Sequence, residues 1–219
     1  QLGLKTAIVE KESLGGVCLN WGCIPTKALI KSAQVFEYLQ HAEDYGLKVK
    51  EYDKDFDAVV NRSRSVADTM SKGVQFLLKK NKIDVIMGYG SLMPGKKVHV
   101  KAEDGSEQEL SSQHIIIATG ARSHELPSLP QDGEKVIGYR KAMTLEKQPQ
   151  KLIVVGSGAI GVEFAYIYNA MGTEVTLIEY QPRIVPVEDE EISKQMERSF
   201  KKSGIKVMTS AEVTSVDTS

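Results

Sequence analysis

A glycine turn between two apolar segments constrains the fold of this chain more than any other feature. Residues 152–155 are apolar and predict a buried strand, residues 156–161 read Gly-Ser-Gly-Ala-Ile-Gly, and residues 162–171 predict a helix. Gly172 is expected to end that helix, and residues 175–178 are expected to form a second strand. This order predicts a dinucleotide-binding βαβ unit, whereas the same glycines outside such a context would indicate only a plain turn.

Each glycine of the turn has its own expected role. Gly156 would permit the tight turn, Gly158 would let the backbone approach a pyrophosphate, and Gly161 would let helix and strand pack closely. The helix start offers backbone N–H groups to the phosphates. The candidate cofactor-binding residues of the turn are Gly156, Ser157, Gly158, Ala159, Ile160 and Gly161.

The acid that follows the second strand predicts which dinucleotide binds. Glu179 lies about 20 residues beyond the first glycine, where a carboxylate accepts the ribose hydroxyls of NAD. The same carboxylate would repel the 2′-phosphate of NADP. Arg183 is close in sequence, but a single arginine does not make a phosphate pocket. We therefore expect NAD.

The two cysteines of the chain, Cys18 and Cys23, lie in one short glycine-flanked segment. A bridge across so small a loop adds little stability, and a thiol near a helix N-terminus has a lowered pKa, so the pair suits redox exchange. The alternatives are two free buried thiols or half of a zinc site. Zinc needs further ligands at defined spacing, and the four histidines are scattered along the chain. The pattern favours a redox disulfide.

Residues 15–27 read Gly-Gly-Val-Cys-Leu-Asn-Trp-Gly-Cys-Ile-Pro-Thr-Lys. This segment resembles the redox-active disulfide motif of the flavin-dependent disulfide oxidoreductases, which include dihydrolipoamide dehydrogenases and glutathione, trypanothione and mercuric reductases. Its details are most similar to the dihydrolipoamide dehydrogenases, because glutathione reductases usually carry two adjacent lysines after the proline. Trp21 departs from the small aliphatic residue more common at its position. The resemblance implies that Cys23 faces the flavin and that Cys18, expected on a loop, exchanges with the dithiol substrate.

The same resemblance implies FAD as a second dinucleotide. Glu10 would hold its ribose, residues 119–121 would form a loop against the flavin nucleotide, and Gly90 would lie in a turn approaching it. Val213, near the end of the chain, completes the candidate set. The candidate cofactor-binding residues outside the glycine turn are Glu10, Lys27, Gly90, Thr119, Gly120, Ala121, Glu163, Glu179 and Val213.

Two of these residues are also catalytic candidates, with Cys18 and Cys23. Pro25 is expected at the first position of a helix, which would place Lys27 one turn beyond Cys23 on the same face. The resemblance implies that Lys27 pairs with Glu163 near the flavin ring, where a cation would stabilise negative charge on the reduced flavin. The alternative is a solvated lysine and a surface glutamate.

Composition is that of an ordinary globular protein, with 41% hydrophobic residues and a formal net charge of −1. The absence of a basic excess argues against nucleic acid, and no apolar run reaches the length of a membrane span. No metal site is expected. Two cysteines in a chain of this size suggest a reducing compartment, the cytoplasm or a mitochondrial matrix.

The expected fold class is α/β, with two Rossmann-like dinucleotide-binding domains of three layers and mostly parallel sheet, each incomplete. Residues 1–145 would form the FAD-binding domain and residues 146–219 the NAD-binding domain. Residues 1–10 read as the end of a helix, a turn and a buried strand, so we expect the middle of a longer protein. Further expected elements are helices over 25–38 and 56–81, strands over 85–90, 97–101 and 115–120, a hairpin at Asp104-Gly105, and strand-like alternation over 213–219.

The expected reaction is oxidation of protein-bound dihydrolipoamide, through the disulfide and FAD, with hydride passed to NAD. The expected partners are the lipoyl domain of a 2-oxo acid dehydrogenase or glycine-cleavage complex, and a second copy in a homodimer. The alternatives are another flavin disulfide reductase, of the mercuric or glutathione type, and a non-catalytic flavin-binding module. The 219 residues alone are expected to be inactive, because in the family a C-terminal region supplies the catalytic base.

Overall fold

A computed structural model describes residues 3–218. The chain divides into two compact units, the first made of Gln1–Ile24 with Arg64–Arg122 and the second of Pro25–Ser63 with Ser123–Ser219. The helices are α1 (Gly16–Trp21), α2 (Cys23–Gln40), α3 (Phe56–Lys80), α4 (Tyr139–Ala142), α5 (Ala159–Ala170) and α6 (Glu190–Lys202), with a 3-10 turn over Ala42–Tyr45. The strands are β1 (Ala7–Glu10), β2 (Asp84–Met87), β3 (Tyr89–Met93), β4 (Lys97–Lys101), β5 (Glu107–Ser111), β6 (Lys151–Val155), β7 (Glu174–Ile178) and β8 (Lys206–Met208).

The first unit contains a parallel pair and an antiparallel meander. β1 and β2 are parallel, in a register that runs from Ala7 opposite Asp84 to Glu10 opposite Met87. β3, β4 and β5 pair in order, which confirms the predicted strand over 97–101 and the hairpin at Asp104-Gly105. β1 is half-buried rather than fully buried.

Glycines set where α1 and α2 begin. Gly15 precedes α1 with φ of 108°, and Gly22 separates the two helices. A side chain at Gly22 would lie 2.9 Å from the Cys18 Cα atom, so only glycine allows this close approach. Two predictions are wrong here. α2 begins at Cys23, so Pro25 is its third residue, and Cys18 lies on the unpredicted helix α1 rather than on a loop.

Three further predictions are wrong in the strands. Gly90 lies inside β3, opposite Val100, because the turn falls two residues earlier at Gly88 (φ 154°). Residues 115–120 form no strand: Ile116 is 89% exposed, and no strand within residues 3–218 hydrogen-bonds to the segment. Residues 213–218 are likewise irregular, and Ser219 and Gln1-Leu2 lie outside the described residues.

The second unit carries the predicted βαβ unit, which is confirmed. β6, β7 and β8 form a parallel sheet in that order, and α5 connects β6 to β7 and contacts both strands. Gly172, with φ of 92°, follows the end of α5. The core beneath includes Phe164, Tyr168, Val175, Leu177, Ile184 and Ile205. Parallel sheets with connecting helices confirm the α/β class.

The predicted long helix is also confirmed, since α3 ends one residue before the expected Asn81. In the described part of the chain, no helix is both long enough and apolar enough to span a membrane.

Candidate active site

Cys18 and Cys23 form a disulfide, with Cα atoms 4.8 Å apart. The expected pairing is confirmed, and the alternatives of two free thiols or half a zinc site are wrong for these residues, because each sulfur is bonded to the other. Cys23 is the first residue of α2, where the unpaired N–H groups favour a thiolate after reduction. Both cysteines are exposed, so exposure does not separate their roles.

The candidate FAD residues lie in the same compact unit as the disulfide. Glu10 is the last residue of the parallel strand β1, which is where a dinucleotide-binding fold places its ribose-binding acid. Its Oε1 accepts a hydrogen bond from the Glu12 amide at 2.8 Å. Residues 119–121 are exposed and irregular, and Gly120 has φ of 74° with no atom within 4 Å of the place a Cβ would take. The space at residues 119–121 is therefore open, whereas Gly90 is paired within β3 and supplies no turn.

The glycine turn of the second unit fits a pyrophosphate. Gly156 has φ of 95°, and its amide donates to the Ile178 carbonyl at 2.8 Å. A Cβ at Gly161 would overlap the Gly156 carbonyl oxygen, so only glycine fits there. A Cβ at Gly158 would meet nothing within 4 Å, and Gly158 is the N-cap of the twelve-residue helix α5. The space in front of the helix start is therefore open to a phosphate.

Glu179, at the tip of β7, is 7% exposed and accepts several hydrogen bonds. Its Oε2 accepts from the Ser157 amide at 2.8 Å and from the Ser157 hydroxyl at 2.6 Å, and its Oε1 accepts from the Gln181 amide at 2.8 Å. Burial alone would raise the pKa of Glu179, but hydrogen bonds from Ser157 and from the backbone of Gln181 hold that pKa below its usual value. The carboxylate is therefore ionised at neutral pH and suited to accept a ribose hydroxyl.

Ser157 also connects the turn to the loop after β7. The Val185 amide donates to the Ser157 hydroxyl oxygen and to its carbonyl, each at 3.1 Å, and Ser193 donates to the Val185 carbonyl at 3.3 Å. Val185 has φ of 41°, which is strained for a β-branched residue. Arg183 donates to the carbonyl of Pro186 at 3.0 Å, within its own loop. This hydrogen bond within the loop agrees with the expectation that Arg183 does not form a phosphate pocket.

Lys27 and Glu163 contact each other, Nζ to Oε1, across α2 and α5 in the second unit. The contact between these two side chains that the resemblance implies is confirmed, and Lys27 is itself exposed to solvent, as the alternative expected. One turn further along α5, the Tyr166 hydroxyl contacts Glu37 Oε2. Burial and the neighbouring Glu37 carboxylate raise the pKa of Tyr166, so it stays a hydrogen-bond donor.

Three contacts around α1 involve residues that are not among the sequence-predicted site residues. The Arg64 guanidinium lies over the Trp21 ring, Trp21 donates to Glu12, and Ser71 donates to the Leu14 carbonyl. Of these residues, Trp21 alone carries a sequence signal, because it departs from the residue more common at its position in the motif. Val213 is half-buried and lies outside the strands. Within residues 3–218, no group of three or more His, Cys, Asp or Glu side chains could hold a metal ion.

Comparisons with known proteins place the chain in a family. Residues 1–219 match the family model described as pyridine nucleotide-disulphide oxidoreductase. A dihydrolipoyl dehydrogenase of Zymomonas mobilis is 47% identical over 209 residues, which cover 95% of this chain and 45% of that protein. A dihydrolipoyl dehydrogenase of Bacillus subtilis is 45% identical over 222 residues, covering 97% of this chain and 47% of that protein.

A solved structure agrees with the sequence relatives. The crystal structure of LpdA from Mycobacterium tuberculosis matches with a TM-score of 0.91 at 28% identity, covering 100% of this chain and 48% of that one. The chain spans about half the length of the curated relatives it matches. From the full-length match to the family model and the identity to these relatives, the chain belongs to the pyridine nucleotide-disulphide oxidoreductase family.

Proposed function

We propose that these residues belong to a dihydrolipoamide dehydrogenase and form its FAD-binding and NAD-binding portions. The observation that carries the proposal is the exposed Cys18–Cys23 disulfide at the start of α2. The sequence relatives described above are named dihydrolipoyl dehydrogenases, and their name supports a dithiol as the substrate class.

FAD and NAD are the cofactors that membership of the family implies. The chemistry that bound FAD would supply is acceptance of two electrons from the cysteine dithiol and their delivery as a hydride to NAD. We assign FAD to residues 1–145, with Glu10 and residues 119–121 as contacts, and NAD to residues 146–219, with the glycine turn and Glu179 as contacts. Val213 remains a candidate cofactor-binding residue, and we assign it to neither cofactor.

The disulfide exchanges with the substrate dithiol. One substrate thiolate attacks Cys18, breaks its bond to Cys23 and forms a mixed disulfide, which leaves Cys23 as a thiolate. The second substrate thiol then displaces Cys18, so the substrate becomes a cyclic disulfide and the two cysteines hold its two electrons. The N-terminus of α2 stabilises the Cys23 thiolate. We assign the sulfur facing the flavin to Cys23 and the exchanging sulfur to Cys18.

Lys27 supplies a positive charge held by Glu163. The ion pair fixes the position of an exposed lysine, which would otherwise sample many rotamers. We propose that this cation stabilises negative charge on the reduced cofactor.

The proposed macromolecular partners are the lipoyl domain of a 2-oxo acid dehydrogenase or glycine-cleavage complex and a second copy of the chain. The proposed location is the cytoplasm, or the mitochondrial matrix in a eukaryote. No contact with nucleic acid or membrane is proposed.

Steady-state kinetics of the flavin-loaded holoenzyme test the proposal. With dihydrolipoamide and NAD, the wild type should form NADH, and Cys18→Ser and Cys23→Ser should each lower kcat on the order of 10³-fold or more. NADP should be a poor acceptor, because Glu179 repels its extra phosphate. Faster reduction of glutathione disulfide or Hg(II) by NADPH than oxidation of dihydrolipoamide would favour the alternative reductases.

A further inference from the structure

Trp21, the one tryptophan of the chain, lies between the two bridged cysteines and is held from two sides. Its indole N–H donates to Glu12 Oε1 at 2.9 Å. The Arg64 guanidinium lies 4.1 Å from the centroid of its ring, which is a close cation–π contact. The Trp21 ring is therefore held in place, two residues before Cys23 in the chain.

Arg64 also holds the backbone of the same helix. Its guanidinium donates to the Asn20 carbonyl at 2.7 Å. The Asn20 side chain is buried and donates to the carbonyls of Leu14 and Gly16, each at 3.0 Å. Helix α1 is thus stabilised by hydrogen bonds from its own Asn20 side chain and by a hydrogen bond from Arg64 of α3.

A second residue of α3 holds the chain just before α1. Ser71, two helical turns beyond Arg64, donates to the Leu14 carbonyl at 3.0 Å. Helix α1 has six residues, too few to be stable by itself. Its position therefore depends on α3, on Glu12 and, in the oxidised chain, on the disulfide to Cys23.

Reduction of the disulfide removes the covalent support of α1. Two electrons and two protons convert the S–S bond into two thiols, and Cys18 is then no longer bonded to Cys23. The contacts to Arg64 and Glu12 involve Trp21 and Asn20 and neither sulfur, so reduction does not itself break them. A helix α1 that is held in place keeps Cys18 near Cys23, which raises the effective concentration of one thiol at the other.

We propose that Arg64, stacked on Trp21, is a positioning residue that holds α1 in the reduced state and favours reclosure of the Cys18–Cys23 disulfide. This inference rests on the proposed redox role of that pair. The stacked guanidinium acts as a tether, and a lysine retains the charge but not the planar stack or the fork of donors.

The test is the thiol–disulfide equilibrium of the holoenzyme against dithiothreitol, read as the alkylated fraction of Cys18 and Cys23 by mass spectrometry. One dithiothreitol gives two electrons and two protons to the protein disulfide and becomes a cyclic disulfide. Arg64→Gln should shift the equilibrium constant about threefold to tenfold toward the dithiol, because a less firmly held α1 lowers the effective concentration of one thiol at the other. Arg64→Lys should give a smaller shift than Arg64→Gln, and Trp21→Phe, which keeps an aromatic face, should stay within about twofold of wild type.

Arg62→Gln is the matched control, because Arg62 lies on the same helix and donates at 2.8 Å to the Ala28 carbonyl of α2, away from α1. It should leave the equilibrium constant unchanged. Trp21→Leu should shift the constant in the same direction as Arg64→Gln, which keeps the test decisive if one variant folds poorly. Hydrogen exchange of residues 14–21 should rise in both variants, and more in the reduced protein than in the oxidised one.

Equilibrium constants within twofold of wild type in both Arg64→Gln and Trp21→Leu would overturn the proposal. Dithiothreitol reports on the disulfide whatever the physiological substrate is. Failure of dihydrolipoamide to reduce the wild-type pair would instead refute the proposed function and leave the Arg64 result interpretable.

Discussion

Ser157 and Glu179 are joined by two hydrogen bonds although 22 positions separate them. The Ser157 amide and hydroxyl both donate to Glu179 Oε2, at 2.8 Å and 2.6 Å. Ser157 is fully buried and also accepts a hydrogen bond from Val185. The second residue of the glycine turn therefore fixes the carboxylate at the tip of the next strand before any ligand binds.

Ser157→Ala should weaken NAD binding about threefold to tenfold, because the variant loses one hydrogen bond that orients the carboxylate. The Ser157 amide contact would remain. Titration calorimetry of the holoenzyme with NAD measures the effect, and the exposed Ser203→Ala serves as the control. An unchanged NAD affinity in a variant with lowered stability would show that Ser157 has a structural role only.

The pH dependence of stability should report on Glu179. Its pKa is lower in the folded chain than the ordinary value of 4.5. Its contribution to stability is therefore fully present above that ordinary value and is lost as the pH falls through the lowered folded pKa. The free energy of unfolding of Glu179→Gln should consequently depend less on pH below about 4.5 than that of the wild type.

Denaturant unfolding at a series of pH values from neutral to acid measures this slope. Glu212→Gln removes a charge at an exposed position near the end of the chain and is the control. Parallel curves for wild type and Glu179→Gln would contradict the assigned hydrogen bonds.

Two glycines of the turn should respond to the same substitution in different ways. Gly161→Ala should destabilise the fold by about 1–3 kcal/mol or more, since its Cβ would overlap the Gly156 carbonyl oxygen. Gly158→Ala should fold normally, because its Cβ meets no atom within 4 Å, but should lose NAD affinity by filling the space before α5. Thermal unfolding and NAD titration separate the two outcomes. Full NAD affinity in Gly158→Ala would place the pyrophosphate elsewhere.

The Lys27–Glu163 pair should matter for turnover and little for stability. Lys27 is 65% exposed, and exposed ion pairs contribute less than about 1 kcal/mol. Lys27→Met should lower kcat on the order of 10²-fold, because it removes a cation from the reaction site. Glu163→Gln should give a smaller loss, since the lysine keeps its charge but is held less firmly. A kcat equal to that of the wild type in Lys27→Met would contradict a role for the Lys27 cation in turnover.

Sequence patterns predicted the elements whose interactions are local. The βαβ unit follows from apolar runs, a glycine turn and an acid, all within one short segment. Lys27 and Glu163, 136 positions apart, were paired through the family resemblance rather than through periodicity. Cys18 was expected on a loop because two glycines precede α1, and helix propensity gives no sign of the support from Arg64 and Ser71.

Strands were harder to predict because their formation depends on partners. Residues 115–120 have an ideal apolar strand composition, yet no strand in the described chain pairs with them. Gly90 was expected in a turn, but β3 extends through it. A Cβ at this position would lie 3.2 Å from Val9 Cγ1, a tight contact that glycine avoids. Contacts of this kind are set by distant residues and leave no local pattern.

The central claim is that the Cys18–Cys23 pair carries electrons from a dithiol to NAD, and trapping of both cysteines tests it most directly. The oxidised holoenzyme is mixed without oxygen with one equivalent of dihydrolipoamide, quenched with iodoacetamide and analysed by peptide mass spectrometry. We expect alkylation of both Cys18 and Cys23 before NAD is added and recovery of the disulfide after NAD is added, with one NADH formed per disulfide recovered. A disulfide that stays unalkylated while NADH still forms would contradict the claim.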